Sequence, residues 1–192
     1  MRESFERQAR ALSRFHPLRL LFTALVHRAF VQEMGIGDER LVGYLADLLA
    51  RFVHVDNIFR IRDARGRPLW QVADMLAASE QVPVDRIFAR KREVHRHIGD
   101  FTLFWTGVYP EALRWLQGAD TKDHLLDYIE QGRRSYMLAS QYTPAQLHDE
   151  AVTLARLAHE FEFCVWGLHR VRQFWEKRDP ESFRASTDVL LS

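Results

Sequence analysis

Ile87, Val94, Ile98, Phe101, Trp105 and Val108 recur at multiples of three and four residues, a spacing that places them on one face of an α-helix and on both faces of a strand. Lys91 interrupts the face, and Pro83 with Asp85 supplies a start, so the spacing predicts a core helix over about 84–106. The same period governs the other strong segments. Leu18, Leu21, Phe22, Leu25, Val26, Ala29 and Phe30 follow His16-Pro17 and predict a helix to about Glu33. Leu41, Tyr44, Leu45, Leu48, Leu49 and Phe52 follow Asp38, a good N-cap. The expectation is therefore all-α: one domain over 1–192, a bundle of six or seven helices with the 84–106 helix at its centre.

Beside the apolar face of that central helix runs a polar stripe, Arg90, Glu93, His97 and Asp100, closed by Phe104. Gly99 lies within it. A mid-helix glycine costs about 1 kcal/mol against alanine, which is tolerated where another backbone approaches closely or a ligand needs room. The plain reading of the stripe is a ladder of hydrated ion pairs at the rim of the core. The sharper reading makes Glu93, His97 and Asp100 a ligand or metal site, and a third makes them a partner interface.

Elsewhere the signals are local. Asp63-Ala-Arg-Gly-Arg-Pro68 is turn chemistry, read here as a linker in preference to a small hairpin, before a compact helix over Leu69–Ala78. Pro110 with Glu111 starts a short helix that Gly118 ends, and Thr121 reads as the cap of the next helix, with Leu125, Tyr128, Ile129, Tyr136 and Ala139 at helical spacing. Inside that helix Gly132 precedes Arg133, Arg134, Ser135 and Tyr136. It reads as a close crossing, or else Arg133, Arg134, Ser135 and Tyr136 offer an anion or ligand contact. Thr143-Pro144-Ala-Gln146 has the form of a capping box and predicts one unbroken helix over 144–178, with a tail over 179–192. Residues 1–14 read as a surface helix or frayed arm.

Composition removes several functions. A formal net charge of +1 over 192 residues argues against a dedicated nucleic-acid binder. Cys164 is the sole cysteine and sits in an apolar helix, so no internal disulfide and no cysteine-based zinc site exist, and a reducing cytoplasm is the simple inference. His159 and His169 are each five residues from it, off the same helical face, so the thiol reads as inert. No apolar run approaches the roughly 20 residues that span a bilayer. A metal held by His159, Glu162 and His169 would need these to meet Glu93, His97 or Asp100 across the bundle, and no Glu-x-x-His pair supports a di-iron site. No catalytic constellation emerges and no cofactor is named. The first functional expectation is a non-catalytic helical module acting through self-association or protein partners. The alternative is a metal- or small-ligand-binding protein, or an enzyme, using the Glu/His/Asp stripe.

Gly99-Asp100-x-x-Leu103-Phe104-x-x-Gly107-x-Tyr109-Pro110-Glu111, followed by Tyr128-x-x-x-Gly132-x-x-Ser135-Tyr136, resembles paired motifs of an uncharacterised group of bacterial all-helical proteins. The resemblance covers residues 93–140. It implies a bacterial origin and a helical fold, and it carries no assigned activity.

Overall fold

A computed structural model describes residues 17–80 and 87–191. The expected arm over residues 1–14, and the helix start at Pro83 and Asp85, lie outside them. Among the described residues the fold is all-α, ten α-helices and no strand: α1 (Pro17–Val26), α2 (Glu39–Phe52), α3 (Val55–Ile58), α4 (Val72–Glu80), α5 (Ile87–Gly107), α6 (Leu113–Leu116), α7 (Tyr128–Gln141), α8 (His148–His159), α9 (Phe161–Arg178) and α10 (Pro180–Leu191). None is long and apolar enough to cross a membrane. Helix α5 takes the central place. From Val94 onward its residues are almost all buried, and α4, α7 and α9 pack around it.

Two glycines let α5 and α7 cross closely. A Cβ on Gly99 would stand 2.6 Å from Cδ1 of Tyr136, and one on Gly132 would stand 2.5 Å from Oγ1 of Thr102, distances that real Cβ atoms do not show. Both crossings are those the sequence suggests.

Local capping decides where the reading of boundaries holds. Asp38 caps α2 as expected, accepting from the backbone N–H groups of Arg40 and Leu41. The helix after Pro17 reaches Glu33, but from His27 it is wound as a π-helix. Thr121 is not the cap of α7. Asp127 takes that role, accepting from Ile129 and Glu130, while the Thr121 hydroxyl bonds back to Leu116 and Gly118 and Leu125 stays exposed. Thr143 likewise donates back to the Ala139 carbonyl, so Ala145–Leu147 forms a 3₁₀ turn and α8 starts only at His148.

The C-terminal helix is interrupted. Glu160 leaves helical geometry (φ −102°, ψ 24°), which separates α8 from α9 and turns Phe161 inward against Tyr136. Residues 180–191 are a helix, not a tail, and bury Phe183 and Leu190. The stretch Asp63–Pro68, expected to be a linker, is instead the turn of a small hairpin: Leu69 N–H donates to Ile61 O at 2.7 Å and Asp63 N–H to Arg67 O at 3.0 Å. Asp63 stabilises the turn by accepting from the backbone of Arg65 and Arg67.

Candidate functional site

The stripe on α5 divides by depth. Glu93 is half-exposed and pairs with Arg90 at 3.1 Å, as a rim ladder would have it. His97 and Asp100 are not hydrated rim residues; both are wholly buried. The reason lies in groups from distant segments, which reach α5 and supply what water would otherwise provide.

Asp100 receives three donors. Its Oδ1 accepts the hydroxyls of Tyr44 (2.6 Å) and Tyr136 (2.8 Å), and its Oδ2 accepts Nη2 of Arg51 (3.1 Å). Burial pushes its carboxyl pKa up, but the Arg51 and Arg96 guanidiniums and the two hydroxyls outweigh burial and hold it below the ordinary carboxylate range. Burial and the Asp100 charge push Tyr136 well above its ordinary value, so it remains a donor. The network continues outward. Arg96 donates to the Tyr44 hydroxyl through Nε and to Glu150 through Nη1, and Arg92 reaches the other oxygen of Glu150 at 2.6 Å. One connected set of polar groups thereby ties α2, α5, α7 and α8 together.

His97 has both ring nitrogens occupied. Nδ1 lies 3.1 Å from Nε of Arg60, a group that only donates, so Nδ1 accepts and Nε2 carries the proton, donating to the Ile58 carbonyl at 2.9 Å. Burial, with the Arg60 charge beside it, pushes the imidazole pKa down to about 3. The ring is a neutral clamp between α5 and the α3 segment, with no lone pair left for a metal or a proton.

The second group of candidates also separates. Tyr136 is consumed by Asp100. Ser135 is buried and accepts from Gln131 Nε2 at 2.9 Å. Arg133 faces solvent beside Glu130. His159, Glu162 and His169 lie on the exposed outer side of α8 and α9 and do not meet the stripe. Among the described residues no three His, Cys, Asp or Glu side chains are grouped to hold a metal. Burial raises the Cys164 thiol pKa to about 12, in keeping with an inert core cysteine.

Several members of the network escape sequence reasoning. Tyr44 reads as part of an apolar face, yet Tyr44 and Arg51 are seven residues apart, two turns on one side of α2, and that coincidence was the available signal. Arg60, Arg96 and Glu150 carry none. Asp123 is the clearest omission. It is fully buried in the loop before α7, and it accepts from the backbone N–H of Val72 (2.7 Å) and Ala73 (2.9 Å) and from the Tyr128 hydroxyl. It caps α4 from about fifty residues away, which no local pattern announces.

Comparison of the chain with models of known families, with characterised proteins and with solved structures gives no match. The resemblance over residues 93–140 thus rests on the motif residues alone. Its residues have structural uses: Gly99 and Gly132 stand at the helix crossing, and Asp100 is bonded to Tyr136 across it.

Proposed function

We propose that this chain is a non-catalytic helical module of a bacterial cytoplasm, acting through association with a second copy of itself. The observation that carries the reading is on the outer face of α9. Phe163 and Trp166 are 41% and 54% exposed, and their ring centroids lie 6.2 Å apart. Aromatic pairs that remain half in water next to polar groups are characteristic of interface anchors. Covering each half-exposed ring contributes about 1 kcal/mol or more.

A two-fold axis at Trp166 sets residues four before it opposite residues four after it, which brings Glu162 toward Arg170; Arg170 already bonds Glu33 at 2.7 Å, so the rings and not the charges carry the association. The length expected of a helix over 144–178 adds nothing to this reading, since the helix turns at Glu160. The saturation of Asp100 and His97 weighs against the alternative of an enzyme or metal site on the stripe.

Light scattering at tens of micromolar should report a dimer, and Phe163→Ser with Trp166→Ser should convert it to a folded monomer. A wild-type monomer at that concentration, or a dimer that survives the double substitution, overturns the reading.

A further inference from the structure

A bay on the opposite chemistry of the surface lies where the hairpin meets α4 and α5. Its volume is about 490 Å³, within the size range of small-molecule sites. Four cations from three segments line it: Arg62 and Arg67 from the hairpin, Arg90 from α5 and Lys122 from the loop before α7. Only two carboxylates, Asp63 and Asp74, share the wall.

Both carboxylates are already committed. Asp63 accepts from the backbone N–H of Arg65 and Arg67 and from Nε of Arg67 (2.8 Å), which leaves the terminal nitrogens of that guanidinium available. Asp74 pairs with Lys122. Arg62 donates to the Gly66 carbonyl and has no carboxylate partner among the described residues. Arg90 bonds Glu93, and its other terminal nitrogen reaches the Arg62 carbonyl, which holds the guanidinium at the bay. The floor is small and apolar, with Ala77 and Ala78 from α4.

We propose that this bay binds a small phosphorylated molecule, its phosphate held between Arg62, Arg90 and Lys122 and its organic part lying over Ala77 and Ala78. Arg67, Arg90 and Lys122 each face one carboxylate and Arg62 faces none among the described residues, an excess of one positive charge that favours an anion. Donors that arrive from three directions match the tetrahedral spread of phosphate oxygens better than the single plane of a carboxylate. The site is independent of the self-association face and stands or falls separately from it.

Calorimetric titration of the full-length chain with inorganic pyrophosphate at low ionic strength tests the site. The result expected is saturable one-to-one binding, at least tenfold weaker in Arg62→Gln/Lys122→Gln, weakened also in Lys122→Glu, and unchanged in Arg65→Gln, whose exposed side chain lies outside the bay. Lys122 is an exposed loop residue, so Lys122→Glu gives the answer if the double variant melts early. Absence of saturable binding, full binding by folded Lys122→Glu, or an equal loss in Arg65→Gln overturns the proposal, the last because it would reduce the effect to diffuse surface charge.

Discussion

Asp100→Asn isolates the interaction on which the central crossing depends. The aspartate is wholly buried with three donors, so the substitution changes charge and one hydrogen-bonding direction at nearly constant volume. Asn keeps one acceptor oxygen for the Tyr44 and Tyr136 hydroxyls, but it turns an amide N–H₂ toward Nη2 of Arg51, donor against donor. It also removes the anion that offsets Arg51 and Arg96. Breaking a buried pair from one side costs about 3–5 kcal/mol. The Arg51 side chain keeps 28% exposure, so water partly rehydrates it and the expected loss is at the lower end, about 3 kcal/mol. Urea melts at pH 7 with an unchanged slope measure it. Tyr136→Phe should cost about 1.5–2 kcal/mol alone and clearly less in the Asp100→Asn background, because the charged acceptor that strengthens its bond is gone. A loss below about 1 kcal/mol for Asp100→Asn, or strict additivity of the two, would refute the reasoning.

Three further outcomes follow from the geometry. Gly99→Ala should lose about 2 kcal/mol and Gly99→Leu more, since the Tyr136 ring in the way is anchored at Asp100 and cannot swing aside; thermal melting at wild-type stability would contradict this. Asp123→Ala should lose about 2–4 kcal/mol by leaving two N-terminal amides of α4 and the Tyr128 hydroxyl unpaired, and hydrogen exchange should place the added opening in α4. The unfolded chain protonates His97 near pH 6.5 while the folded chain resists to about pH 3, so the stability it contributes is complete above pH 6.5 and declines as pH falls, by about 1.4 kcal/mol per unit. Asp100, depressed from its ordinary value, adds to the loss only below about pH 4. His97→Gln should be less stable at pH 7 yet flatter between pH 6.5 and 5.

What was legible in the sequence was whatever short-range chemistry decides. Asp38 capping α2, the apolar face of α5 and the crossings at Gly99 and Gly132 follow from spacing and from glycine's missing side chain. Thr121 and Thr143 were misleading because a hydroxyl can bond backward to a preceding carbonyl as well as forward to an amide, and here Asp127 outcompetes one and Ala139 captures the other. The stripe was visible, but its depth was not. Whether His97 and Asp100 face water depends on Tyr44, Arg51 and Arg60, some 37 to 56 residues away, and nothing within one turn of α5 encodes their arrival.

The claim that the stripe's inner polar atoms are consumed within the fold is tested most directly by NMR titration of the His97 ring in the native chain between pH 8 and 5. The account predicts a neutral imidazole protonated at Nε2 whose shifts stay flat across the whole range. An inflection of His97 near pH 6.5 would mean that the ring is open to solvent and free to bind, and would contradict it.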